Sequence, residues 1–483
     1  MSLTRAIAWN TGVQVIGKVI STALGVVIIG LMTRHLGQVG FGEYSTANAY
    51  LQIFALLLDL GLNVTLISML GERAGDTTFE KRCISAIFTL RLILAAIVIV
   101  LIAPAIALAL PYSPALKLAI IALTGSFFFP SLNQVVTGVQ QRHLKMNMVA
   151  IGEILGRLVL LGGLLYAMRA GLGLLPIVLF VSLGSFANFI VNFFATRHYG
   201  GFHWNWDPTF WKMALKRSWP IGVSIAFNII YYKSDTFILS LARSQAEVGL
   251  YGAAYRVLDI LITLPFMYAG VMLPLLSKQW AASAKDAFSR LLSKSADVMF
   301  LLVFPMVGGT LILGRQVMMA IAGSDFAVSG DILKILILAV GIIYINTVFS
   351  HAVVAVQAQK KMLPVYIIVA LVTLAGYLLF IPRFGVWAAA WLTLFSEFCV
   401  FLGSYFVTRS VIRFRINLKA PFAALGATLV MCAAVFLLKA YWLPIPILVG
   451  AAVYSACVLL FGGVAKETLK EIFSKPTIVS PLE

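Results

Sequence analysis

Apolar residues run along the whole chain in long blocks separated by short polar turns. The blocks fall at roughly 10–33, 42–69, 83–110, 116–139, 146–168, 174–196, 218–242, 249–276, 296–321, 332–357, 363–381, 385–408, 419–438 and 444–462. At about 20 residues, each is long enough to cross the ~30 Å hydrocarbon core as an α-helix, which satisfies its backbone hydrogen bonds internally. The pattern predicts an all-α membrane protein with about 14 transmembrane helices. The first block has no small-residue cleavage site and is followed by further spans, so it reads as a retained helix and not as a signal peptide.

Composition strengthens this picture. Hydrophobic residues make up 61% of the chain and charged residues 11%, whereas an ordinary soluble domain is about a quarter charged. The net charge of +18 would suggest nucleic acid in a soluble protein. With the N-terminus placed in the cytoplasm, however, 23 of the 36 Lys and Arg fall on the cytoplasmic side, 8 on the outer side and five within spans. The basicity is therefore that of the positive-inside rule, with N and C termini both cytoplasmic and no nucleic-acid partner expected.

The longest polar connections, around 197–217 and 277–295, are only about twenty residues, too short for a soluble catalytic domain. The sequence carries no Walker A, no GxGxxG at a strand-to-helix junction, no HExxH and no GxSxG. Neither an enzyme nor a bound cofactor is expected. The cysteines, Cys83, Cys399, Cys432 and Cys457, lie scattered in apolar segments without metal-site or disulfide spacing. No metal site is predicted.

Three weak internal matches recur in order. Gly42-Glu-Tyr44 parallels Gly249-Leu-Tyr251 at an offset of 207, Val139-Gln140 parallels Val356-Gln357 at 217, and Arg169-Ala-Gly171 parallels Arg383-Phe-Gly385 at 214. Helices 1–6 and 7–12 thus read as two copies of one unit. Six is even, so the copies share an orientation and form two parallel six-helix lobes, with the substrate path between them, plus two C-terminal helices. The expected division is an N-lobe at 1–196, a cytoplasmic linker at 197–217, a C-lobe at 218–409, helices 13 and 14 at 410–462 and a cytoplasmic tail at 463–483.

The segment Arg34-His-Leu-Gly37-Gln-Val-Gly40-Phe-Gly42-Glu-Tyr44 resembles the opening motif of the bacterial polysaccharide flippases, the Wzx-type members of the multidrug/oligosaccharidyl-lipid/polysaccharide exporter superfamily. Leu58-Asp59-Leu-Gly61-Leu62, Lys233-Ser-Asp235, Val248-Gly-Leu-Tyr251-Gly-Ala-Ala-Tyr255 and Ile381-Pro382-Arg-Phe-Gly385-Val-Trp-Ala-Ala389 look like its later landmarks. Gln38 departs from the proline common at that point. The resemblance implies a multi-pass protein of the cell inner membrane that flips undecaprenyl-diphosphate-linked oligosaccharide repeat units to the outer leaflet by alternating access, for O-antigen, capsule or exopolysaccharide synthesis. It implies membrane lipid, a polysaccharide polymerase and chain-length proteins as partners.

Charges inside spans cost roughly 2.5–3.5 kcal/mol each on insertion scales, so they are functional candidates. They are Lys18, Arg91, Arg157, Lys233 and Arg256 against Asp59, Glu153, Asp235, Asp259 and Glu397, which sum to zero. Glu153 and Arg157 (i, i+4) and Arg256 and Asp259 (i, i+3) can each neutralise on their own helix. Asn10, Gln14, Lys18 and Thr22 step by four and form one polar stripe, the pattern of a helix facing water or substrate. Helix 7 places Asn228 and Asp235 on one face and Lys233 about 180° away, which makes Asp235 the better lining candidate. Arg91 has no partner on its own helix and is a candidate for diphosphate or sugar-acid recognition, or for pairing with Asp59 or Glu397. The expected substrate cavity therefore draws on Lys18, Asn10, Gln14, Arg91, Asn228, Asp235, Arg256 and Lys233.

A moving diphosphate needs a countercharge, which Lys or Arg supplies through charge-assisted hydrogen bonds. Asp59, Asp235, Glu397 and His351 are candidates for ion or proton coupling to a proton or sodium gradient. Two other transporters fit the same pattern. A lipid II flippase shares the helix number and basic cavity, and a drug or cation antiporter would need a net acidic pocket, against which the Lys18 stripe speaks.

Overall fold

The computed structural model describes residues 3–463 except 60, 73–74, 144, 200 and 415–417, and the side chains of Asn10, Asp59, Asn228 and Lys233 lie outside the described residues. The helices in chain order are α1 (Leu3–Asp59), α2 (Leu62–Glu72), α3 (Thr77–Ala95), a π-helical turn (Ala96–Ile102), α4 (Ala103–Ala109), α5 (Pro114–Leu123), α6 (Gly125–Arg142), α7 (Met146–Arg169), α8 (Leu174–Thr196) and α9 (Pro208–Ala242). They continue with α10 (Gln245–Leu261), α11 (Thr263–Ala281), α12 (Lys285–Ala322), a 3₁₀ turn (Ser324–Phe326), α13 (Ala327–Ala355), α14 (Gln359–Phe384), α15 (Val386–Val411), α16 (Lys419–Leu438) and α17 (Pro444–Leu460). No strand occurs among the described residues.

Eleven helical segments among the described residues are long and apolar enough to cross a membrane. The first runs through two of the apolar blocks of the sequence. Gly37 separates them with φ 66° and ψ −173°, a conformation that costs a glycine little and a residue with a Cβ much more. Polar caps start the helices that follow loops. Asp76, Ser113 and Asp207 accept the backbone N–H three residues on, and Pro114 and Pro208 occupy first positions, where their missing N–H is no loss.

The chain folds as two compact units. The first comprises the described residues of Met1–Ala253 with Ile321–Phe326 and Tyr366–Leu392, the second Ala254–Ala320, Ala327–Val365 and the described residues of Thr393–Glu483. The units and the lobes read from sequence divide the chain at different places, because α9 packs along α1 in the first unit. In that unit α7 lies along both α1 and α8. One apolar core joins Leu62, Leu66, Ile84, Ile87, Val135 and Phe210, and another joins Tyr50, Leu51, Leu116, Ile120 and Val178. In the second unit α16 lies along α17, and Leu313 of α12 packs with Met431 and Val435 of α16.

The repeat has a physical trace within the first unit. A Cβ at Gly42 would fall 1.7 Å from the Gln245 carbonyl oxygen, and one at Gly249 would fall 2.0 Å from that of Gln38. The contact is reciprocal. Gln38 stands to Gly42 as Gln245 stands to Gly249, so α1 and α10 cross backbone to backbone about a local two-fold relation at the offset of 207. The third match also lies at equivalent turns, where Gly171 and Gly385 take φ 62° and 57°. His35 reaches the carbonyl of Leu172 at 2.7 Å beside the first turn, and the side chains of Arg243 and Glu247 lie against the second.

Candidate functional site

The charged centre of the first unit is built on the α1/α7 contact. Small residues bring the helices together. A Cβ at Gly17 would meet that of Ala150 at 2.5 Å, and one at Gly25 would meet the Arg157 guanidinium at 2.4 Å. Between these two points Glu153 reaches across from α7. Its Oε1 accepts from Ser21 Oγ at 2.6 Å and lies 3.3 Å from Lys18 Nζ and 3.5 Å from Arg157 Nη2. Two cations thus share one carboxylate, leaving an excess positive charge.

Accessibility separates this cluster from a buried ion pair. The Lys18, Arg157 and Glu153 side chains are 41%, 34% and 28% exposed. A charge held part-way along a spanning helix at that exposure is stable where water or a polar ligand reaches it. Gln14, one turn earlier on the stripe, is also exposed, and Thr22 is half-buried.

The other predicted residues are dispersed. Arg91 is buried, with Nη1 donating to the Ser131 carbonyl at 3.3 Å. Asp235, read from sequence as a lining residue, is fully buried. Tyr251 donates its hydroxyl to Asp235 Oδ2 and the Thr236 backbone N–H donates to Oδ1, each at 2.5 Å, while the Thr236 hydroxyl donates to Oδ1 at 3.1 Å. That carboxylate ties α9 to α10.

In the second unit, Arg256 lies 3.9 Å from Asp259 on its own helix. His351 Nδ1 sits 2.8 Å from the carbonyl oxygen of Thr347, one turn back. Glu397 is buried. Asn10, Asp59, Asn228 and Lys233 lie outside the described side chains.

Sequence reasoning missed Ser21, which supplies the shortest hydrogen bond of the cluster. Its position three residues after Lys18 was the available signal. It also missed the polar face of α6, where Asn133 Oδ1 and Gln134 Oε1 are buried without a hydrogen-bond partner among the described residues. Among those residues no group of three or more His, Cys, Asp and Glu is placed to hold a metal.

Comparison with known proteins agrees with this architecture. The structure of "Lipid II flippase MurJ, inward closed conformation" superposes with a TM-score of 0.75, at 16% identity, over 93% of this chain and 98% of that one. An inward-facing multidrug resistance MATE family transporter of the MOP superfamily superposes at 0.66, with 15% identity, over 82% of this chain and 94% of that one. Likeness at such identity establishes the fold.

In sequence, the "Probable low-salt glycan biosynthesis flippase Agl15" of Haloferax volcanii is 27% identical over 114 residues, 24% of this chain. The match spans about a quarter of that relative's length. The family described as "Polysaccharide biosynthesis protein" matches residues 7–280, more than half of the chain. This multi-pass membrane protein with the MurJ/MATE fold belongs to the polysaccharide biosynthesis protein family.

Proposed function

We propose that this protein carries undecaprenyl-diphosphate-linked oligosaccharide repeat units from the cytoplasmic to the outer leaflet, by alternating access, for O-antigen, capsule or exopolysaccharide synthesis. The observation that carries the proposal is the accessible Lys18–Glu153–Arg157 cluster, with two cations on one carboxylate inside spanning helices. A diphosphate brings negative charge and acceptor oxygens. It would take over the hydrogen bond that Lys18 gives Glu153 and the ion pairing of Arg157 with the same carboxylate, and Glu153 would draw the cations back once the head group leaves. The prenyl tail would stay in lipid. On this reading the chain moves its substrate without making or breaking a covalent bond in it.

A proton or sodium gradient would drive the cycle, and the buried Glu397 is the coupling residue we favour among the four named from sequence. The polymerase and chain-length proteins of the same synthesis are the proposed protein partners.

The likeness to a lipid II flippase fold over 98% of that chain keeps a second substrate in view. That substrate is also a prenyl-linked diphosphate, so the same cluster would serve it. The net positive site disfavours a cationic drug.

The test is sidedness. In cells depleted of this protein, a membrane-impermeant sugar-modifying reagent is added from outside. Accumulated oligosaccharide-lipid that the reagent cannot reach supports the proposal, and its composition identifies the glycan. Normal labelling, with cell-wall precursor trapped instead, would move the second substrate ahead.

A further inference from the structure

The segment joining α8 to α9 carries a surface apart from the Lys18–Glu153–Arg157 cluster. Its inner side is pinned firmly to α3. The Asn205 N–H donates to Thr89 Oγ1 at 3.0 Å and Asn205 Nδ2 to Ser85 Oγ at 3.2 Å. Trp211 Nε1 donates to the Ala86 carbonyl at 2.8 Å, and Arg82 Nε donates to Asp207 Oδ2 at 2.8 Å. Phe210, Ala214 and Ser218, spaced by four along α9, are buried against this support. The segment is a fixed platform.

Its outer side is both aromatic and basic. Trp204, Trp206 and Trp219 are 62%, 62% and 65% exposed. Trp204 stacks on Trp206 with ring centroids 6.4 Å apart, and Trp206 meets Trp211 edge to face at 4.8 Å. Lys212, Lys216 and Trp219 stand at i, i+4 and i+7 and are all exposed, centred about 165° around the helix from the buried stripe. The acidic neighbours are already engaged, Asp207 by Arg82 and Glu72 by Arg217 at 2.8 Å. The lysines are exposed, and no carboxylate among the described residues pairs with them.

An indole with an apolar body and a polar N–H partitions to the boundary between acyl chains and head groups. A lysine beside it favours an anionic surface. α3 begins a segment, Thr77–Ala109, that is long and apolar enough to cross a membrane, and a platform bound near the start of such a span suits the level of a membrane face. We propose that this platform is an interfacial anchor. Trp204, Trp206 and Trp219 enter the head-group zone, while Lys212 and Lys216 bind the phosphodiesters of anionic phospholipid. The anchor is independent of which glycan the protein moves.

The test uses the full-length protein in nanodiscs. The emission lost in the W204F/W206F variant reports those two indoles alone. The proposal expects that emission to be quenched by acyl-brominated lipid and shielded from acrylamide. Quenching by acrylamide with no response to brominated lipid would mean a water-facing surface and overturn it.

In mixed phosphatidylglycerol/phosphatidylcholine discs, the preference of the protein's lipid shell for phosphatidylglycerol should fall by about threefold or more in K212Q/K216Q. An unchanged preference would overturn the anionic assignment. Both variants change exposed positions, and helical content by circular dichroism checks their folding.

Discussion

Glu153 and Asp235 are both carboxylates in long apolar blocks of the sequence, and they have different surroundings in the structure. Asp235 is wholly buried and accepts from a tyrosine hydroxyl, a threonine hydroxyl and a backbone N–H. Glu153 is 28% exposed and accepts from Ser21 between two part-exposed cations. A charge inside a membrane helix is therefore not a site by itself. Asp235 accepts three hydrogen bonds that fix α9 against α10. Glu153 lies between two part-exposed cations, the arrangement in which the proposed diphosphate would compete for them.

The same contrast holds for the glycines of α1. Gly17 and Gly25 bring α7 close yet leave room for Lys18, Ser21 and Arg157 between the helices. Gly42 admits only backbone, and α10 closes on it completely.

The largest expected effect lies at that crossing. Gly42→Val or Gly249→Val forces the two backbones apart. Each should cost upwards of about 4 kcal/mol and abolish recovery of monodisperse protein in size-exclusion chromatography. Next, Asp235→Ala strands the hydroxyls of Tyr251 and Thr236. It should destabilise by about 3 kcal/mol, read as a lowered Tm of the purified protein, with export falling only in step with folded protein.

The Glu153 cluster should behave in the opposite way. Lys18→Ala should reduce export several-fold while the amount of inserted protein stays at wild-type level. In a cycle with Glu153→Ala, the two effects should be non-additive by about 1 kcal/mol or more in export rate. Additive effects would show that the ion pair does not act as a unit.

The smallest effect concerns the platform at the start of α9. The Phe210 backbone N–H, and then Arg82, hold the Asp207 carboxyl below its ordinary range. A carboxyl depressed in the folded state stabilises above its unfolded pKa, near 4, and loses that contribution as pH falls through the lower folded value. Asp207→Ala should remove a helix cap worth about 1 kcal/mol at neutral pH. Relative to wild type, the difference in Tm should shrink below about pH 4.

Much of the fold was legible because lipid imposes a simple rule on sequence. Apolar blocks of about 20 residues become helices, and the blocks at 10–33, 146–168 and 419–438 lie within α1, α7 and α16. The repeat was legible in part, since Gly42 and Gly249 are conspicuous only once their backbones are seen to touch. Local charge geometry was also readable, as with Glu153 and Arg157 one turn apart on α7.

Partners distant in the chain were not readable. Lys18 and Glu153 are separated by 135 residues, and no periodicity of α1 names its neighbour. The burial of Asp235 was hidden for the same reason. Its helical face can be counted along the chain, but α10 with Tyr251 covers that face only after packing. The break at Gly61 and the π-helical turn at Ala96–Ile102 likewise arise within continuous apolar runs.

In the proposed function, Lys18 and Arg157, held by Glu153, receive the diphosphate of a lipid-linked oligosaccharide. The most direct measurement labels that lipid from outside with an impermeant reagent in cells whose only copy is Lys18→Gln/Arg157→Gln, matched to wild type in inserted protein. The oligosaccharide-lipid should accumulate and stay inaccessible. Labelling at the wild-type rate would contradict it.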